Sequence, residues 1–248
     1  MKVLSIGNSF SQDAQRYLHE IAKADGYELQ TANINIGGCT LETHHLNLLS
    51  DEPNYDLEIN GKPAVERISI CNALKLDDWD YVTLQQASHL SADFETYVPY
   101  ISALADEIRK VLPKAKILIH QTWAYEDGSE RLFTVTRFKT AKEMFSSIEK
   151  SYDCAVDLIK ADGLIPSGKA MFFAMEDYKA KVHRDTFHSS LGLGRYMIAL
   201  TWYGYLTGRD FSRNDFNEFD ENVSAKEREI AINSAQKALN KIQPINKV

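Results

Sequence analysis

The chain has 248 residues, 44% of them hydrophobic and 25% charged, which suits one soluble α/β domain able to bury its apolar surface without metal or disulfide staples. Residues 1–248 are therefore expected to form a single domain. Lys plus Arg number 28 against 35 Asp plus Glu, a formal charge of −7 with no concentrated basic stretch, which argues against a nucleic-acid partner.

Val3 to Ile6 reads as a short buried strand ended by Gly7-Asn8-Ser9. A helical pattern follows, with Ala14, Tyr17, Leu18, Ile21 and Ala22 on one face and Gly26 as its stop. Leu29 to Ile36 alternates as a second strand and runs into Gly37-Gly38. Tyr55 to Ile59 and Val65 to Ile68 flank Asn60-Gly61, which suits a type I′ hairpin turn. Asp80 to Gln85 is the third core strand. A long amphipathic helix is predicted from Asp93 to Leu112 and is stopped by Pro113. Lys116 to His120 gives the next strand, and Phe133 to Lys160 a second long helix. Ala170 to Ala174 is predicted as the last core strand, followed by helices at Ser189 to Leu206 and Ser224 to Ile242. Strands alternating with helices predict a three-layer α/β/α sandwich, flavodoxin-like, with a mainly parallel sheet and a β-hairpin excursion. Ligands of such sheets bind at the carboxyl ends of the strands.

Val3 to Ile6 is too short for a secretory leader's apolar region, and Leu191 to Leu206 carries Arg195 and three glycines, so no membrane partner and a cytoplasmic location are expected. Cys39, Cys71 and Cys154 are odd in number and widely spaced, which fits free thiols in a reducing compartment.

The expected strand ends carry polar groups suited to acyl transfer. Ser9 sits where a helix begins, and the neighbouring backbone N–H groups, with that of Gly38, are suited to hold an oxyanion. A hydroxyl needs a base, and the base needs a partner that fixes its tautomer. Asp185 and His188, three apart in one loop expected after the last strand, supply such a pair. Each element also has a plainer reading: Ser9 as a helix cap, Asp185 and His188 as a helix start, Gly37-Gly38 as a turn. His44-His45 with Glu42, or His183 with Asp185 and His188, has ligand-type residues but no established metal spacing. Cys39 with His44 nearby is a rival nucleophile, and Gly7 to Ser11 lacks the pattern of a phosphate-binding loop.

Gly7-Asn8-Ser9-Phe10 resembles the first block of the SGNH/GDSL hydrolases, Gly37-Gly38-Cys39-Thr40 the second, and Asp185-Thr186-Phe187-His188 the last. The chain looks like a member of a bacterial branch with a GNSF start. The third block departs: Leu84-Gln85-Gln86-Ala87-Ser88-His89 has no Asn for the third oxyanion donor, which leaves Gln86, Gln85 or His89. The resemblance implies a serine esterase with Ser9 as nucleophile, Asp185 and His188 as its activating pair, and Ser9, Gly38 and Gln86 as oxyanion hole. It also implies a small-molecule or carbohydrate ester as substrate, among them acetylated sugars, and neither metal nor organic cofactor. Asn8, Gln85, His89, Trp123 and Tyr125 are candidate substrate contacts, the two aromatics as a sugar-stacking wall. The alternative is an SGNH-fold module that binds a carbohydrate or other small ligand without efficient turnover.

Overall fold

The computed structural model describes residues 1–241. Its strands are β1 (Lys2–Gly7), β2 (Gln30–Asn35), β3 (Tyr55–Ile59), β4 (Lys62–Ile68), β5 (Tyr81–Leu84), β6 (Lys116–His120) and β7 (Gly163–Ile165). They form one sheet in the order β4-β3-β2-β1-β5-β6-β7. β2, β1, β5, β6 and β7 are mutually parallel. Counted alone in chain order, these five run 2-1-3-4-5, the flavodoxin-like arrangement. The expected hairpin extends the same sheet, since β3 pairs antiparallel with β2 and β4 with β3. Its turn is as the sequence predicts, with Asn60 at φ 52° and Gly61 at φ 71°.

The helices are α1 (Ser9–Gln15), α2 (Leu18–Ala24), α3 (Leu41–Ser50), α4 (Ile70–Leu74), α5 (Tyr100–Val111), α6 (Glu130–Thr136), α7 (Ala141–Ile159), α8 (Ser167–Tyr178), α9 (Leu193–Thr207) and α10 (Ala225–Leu239). One layer packs α9 against α1, α2, α8 and α10, and the other joins α3, α5 and α7. Two apolar cores therefore sandwich the sheet, which explains why Val3, Leu4 and Ile6 are all buried although successive side chains point to opposite faces.

Four expectations need correction. Ala170 to Ala174 is not a strand but the middle of α8, whose buried Ser167, Ala170, Met171 and Ala174 follow a 3.6-residue period. Gly168 lets the first turn of this helix close on the loop after β6, since a Cβ there would run into the Thr122 carbonyl. The last strand is instead the three-residue β7. The segment from Asp93 to Leu112 splits into a 3₁₀ turn (Phe94–Tyr97) and α5, because Pro99 has no N–H and cannot sit in a helix interior. The segment from Phe133 to Lys160 breaks at Arg137, in the left-handed region at φ 64°, and restarts where the Thr140 side chain accepts from the Glu143 N–H. The pattern after Ser9 is likewise two short helices. The expected end of the last helix, Ile242, lies outside the described residues. Among these, no helix is long and apolar enough to cross a membrane.

Candidate active site

Ser9 is the first residue of α1, directly after β1. Asn8 caps the helix: its Oδ1 accepts from the Phe10 N–H at 3.0 Å, while its Nδ2 donates to the Cys39 carbonyl at 3.0 Å. One side chain thus ties the turn that carries Ser9 to the loop that carries Gly38. Asn8 is held in turn by Gln85, whose Nε2 donates to Asn8 Oδ1 at 2.7 Å. Gln85 Oε1 accepts from His120 Nδ1 at 2.6 Å. Burial pushes His120 down to about 3, so its ring is neutral and the chain His120–Gln85–Asn8 has one direction of donation.

His188 and Asp185 reach Ser9 from the loop between α8 and α9. They do not follow a strand, as the sequence reading has it; the loop is carried to the rim by its own bonds. His183 bridges Ser189 in antiparallel fashion and its Nε2 donates to the Ala124 carbonyl at 3.0 Å. The Glu126 N–H donates to the Thr186 carbonyl at 2.8 Å, and Trp123 Nε1 to the Phe187 carbonyl at 2.8 Å. From α1, the fully buried Asp13 accepts from Arg184 Nη1 at 3.0 Å and from the Ser189 N–H at 3.2 Å, and pairs with Arg195 Nε at 2.8 Å. Thr186, at the tip, stands at φ 73°, a costly conformation for a β-branched residue.

Within this loop Asp185 Oδ1 accepts from the His188 N–H at 2.9 Å and Oδ2 accepts from His188 Nδ1 at 2.7 Å. Nε2 is then the bare nitrogen, 2.8 Å from Ser9 Oγ. Burial of Asp185 acts to raise its pKa, but the hydrogen bonds from the His188 ring and backbone prevail, and the net direction is down. The carboxylate is therefore ionised at neutral pH and holds the Nδ1–H tautomer. Asp185, His188 and Ser9 form one continuous hydrogen-bonded line.

A cleft of about 300 Å³ opens beside Ser9, lined by Gly38, Ser88, His89, Tyr125, Arg131 and Phe187 among others. Gly38 stands at φ +66° with nothing within 4 Å of a Cβ built on it, so glycine suits the backbone conformation and leaves the cleft wall open. As an N-terminal residue of α1, Ser9 has a backbone N–H without an intrahelical acceptor.

Other sequence candidates fall elsewhere. Gln86, expected as an oxyanion donor, does not line the cleft: its Oε1 accepts from the Leu41 and Ala87 N–H groups at 3.0 and 2.8 Å, and its Nε2 donates to the Thr96 carbonyl at 2.9 Å. Gln85 is consumed by Asn8 and His120 and does not line the cleft. Trp123 forms no substrate wall, because it is fully buried and stacked on Phe10 at 4.2 Å between centroids. Tyr125, Asn8 and His89 do line the cleft. Cys39 is buried beside His44, and burial pushes its thiol up to about 12, far from a thiolate nucleophile. Among the described residues no three His, Cys, Asp or Glu side chains converge as metal ligands. Sequence reasoning missed Ser88, Phe187 and Arg131 as cleft residues, and Asp13 as the anchor of the loop. Two of these carried a signal: Phe187 by its place inside the Asp-x-x-His block, and Ser88 by its place inside the third block.

This three-layer fold with a mostly parallel sheet is the fold of the SGNH hydrolases. It is shared with a provisionally assigned SGNH hydrolase from Slackia heliotrinireducens (TM-score 0.59, 23% identity, 83% of this chain and 98% of that one). It is shared also with the psychrotrophic esterase EstA from a Pseudoalteromonas species, whose structure was obtained inhibited by monoethylphosphonate (TM-score 0.52, 12% identity, 84% and 97%). The chain belongs to the DUF4886 family, a domain of unknown function, whose model matches residues 2–238. A DUF4886 protein of known structure from Bacteroides uniformis is 33% identical over 97% of this chain and 95% of that one, with a TM-score of 0.91. No curated protein matches the chain.

Proposed function

We propose that the chain is a serine esterase that hydrolyses a carboxylic ester through an acyl-enzyme on Ser9. The observation that carries this reading is the line from Asp185 through His188 to Ser9 Oγ, with contacts of 2.7 and 2.8 Å. His188 Nε2 takes the Ser9 proton as Oγ attacks the ester carbonyl, and Asp185 stabilises the imidazolium that results. The developing oxyanion faces the Ser9 and Gly38 N–H groups. His188 then passes its proton to the departing alcohol. Water, activated by the same imidazole, releases the acid and restores Ser9.

The third-strand loop offers Ser88 and His89 to the cleft where the resemblance has an Asn. Burial, and to a lesser degree Arg131, lowers the pKa of His89, so it enters the cleft as a neutral ring with one N–H to donate. A small acyl group on a small-molecule or carbohydrate alcohol fits the volume of the cleft.

A fluorophosphonate probe tests nucleophile activation without the natural substrate. The expected result is a label on Ser9, found by mass spectrometry, that is lost in His188→Ala. A folded protein that takes no label on Ser9 would overturn the esterase reading in favour of a binding module.

A further inference from the structure

We propose that the cleft selects esters whose alcohol part carries an anionic group, a carboxylate or a phosphate, and that Arg131 recognises that group. The inference rests on the esterase reading above. The Arg131 guanidinium carbon lies 3.8 Å from the centroid of the Phe187 ring and 5.9 Å from that of Tyr125, and all three residues line the cleft. The Phe187 centroid is 3.9 Å from that of His188. The cation thus stands one aromatic ring away from the imidazole. His188 is the group that returns a proton to the leaving alcohol, whereas the oxyanion lies toward Ser9 and Gly38. A charge beyond Phe187 is therefore placed to meet the alcohol.

Three features separate Arg131 from an ordinary surface arginine. Among the described residues it makes neither an ion pair nor a hydrogen bond with a side chain, although the chain carries an excess of acids. It occupies the first turn of α6, where the helix dipole disfavours a cation, so helix stability does not account for its position. No carboxylate lines the cleft, since Asp185 stands behind His188. A guanidinium stacked on a ring keeps its N–H edge available to a planar or tetrahedral oxyanion. The same charge helps to keep His89 neutral, which leaves Arg131 as the cation the cleft presents.

The test compares the acetyl esters of 3-hydroxybenzoate, of its neutral amide, and of 3-hydroxyphenyl phosphate. Native protein should favour an anionic ester over the amide by about tenfold in kcat/KM, the scale of one hydrogen-bonded charge pair. High salt should narrow that ratio. Arg131→Gln should collapse it, and Arg131→Lys should retain part of it for the phosphate. The two anionic arms rank carboxylate against phosphate. A ratio near one in the native protein, or an equal ratio in Arg131→Gln, would overturn the inference. If none of the three esters is turned over, the fluorophosphonate label on Ser9 tells whether the esterase reading itself fails. Calorimetric binding of 3-hydroxybenzoate and 3-hydroxybenzamide to Ser9→Ala then decides. Tighter binding of the acid that is lost with Arg131→Gln supports anion selection, and equal binding of the two refutes it.

Discussion

Gln85 and Gln86 are neighbours in the chain, yet their amides serve different partners. Gln85 points along the rim and fixes Asn8, which in turn fixes both Ser9 and the Gly38 loop. Gln86 points into the α3 side and satisfies the first N–H of that helix, together with Thr96. Gln86→Ala should therefore act on stability: it orphans two N–H groups, each at a cost of about 1–3 kcal/mol when buried. A urea titration should show the midpoint falling while kcat of the folded protein for an ester stays close to native. A lowered kcat at an unchanged midpoint would return Gln86 to the oxyanion hole. The convergence of Ser9, Asp185 and His188 was readable in the sequence because each lies in a local motif. The direction of a Gln amide was not, because its partners at Leu41 and Thr96 are chosen by the tertiary fold.

The loop between α8 and α9 has no strand to carry it to the rim, so its position depends on what grips it. Asp13 is its firmest anchor, a fully buried carboxylate on the same helix as Ser9 that pairs with Arg184 and Arg195. Ser9 and the loop that carries His188 are thereby referred to one helix. Removal of one partner of a buried pair costs about 3–5 kcal/mol because the other charge is left uncompensated. Asp13→Asn keeps the shape and removes the charge. We expect it to lower the thermal midpoint and, well below that midpoint, to slow fluorophosphonate labelling of Ser9. Unchanged labelling of the folded protein would limit Asp13 to stability. At this scale the sequence yielded the parallel strands β1, β2, β5 and β6 and the hairpin turn, where alternation and Asn-Gly leave one option. It misled at Ala170 to Ala174, because a five-residue apolar run fits a buried strand and a buried helix equally well. The ion pairs of Asp13 had no local signal, since its partners lie more than 170 residues away.

Seen as a whole, the molecule keeps three histidines buried and neutral around the rim that carries Ser9. His44 hydrogen-bonds Tyr55 beneath the Gly38 loop, His120 starts the relay to Asn8, and His183 pins the Asp185 loop to Ala124. Burial pushes them down to about 3, 3 and 4 from an ordinary 6.5, the Ala124 carbonyl opposing the shift in part at His183. A depressed folded pKa means that the unfolded chain binds the proton first as pH falls. The stability these groups provide is thus complete above about 6.5 and declines below it until the folded pKa values are reached. In that window each contributes about 1.4 kcal/mol per pH unit. Asp185 adds to the loss only at lower pH, as the medium falls below the ordinary 3.8 of a carboxyl. Acid unfolding should therefore begin near pH 6, well above carboxylate protonation, with an uptake of about three protons at pH 5. Denaturant midpoints measured from pH 7 to pH 4.5 give that number as a slope. His44→Phe, which removes one of the three titrations, should reduce the slope by about one proton whatever it does to absolute stability. A flat profile over that range would mean that the histidines are hydrated and titrate in the folded protein.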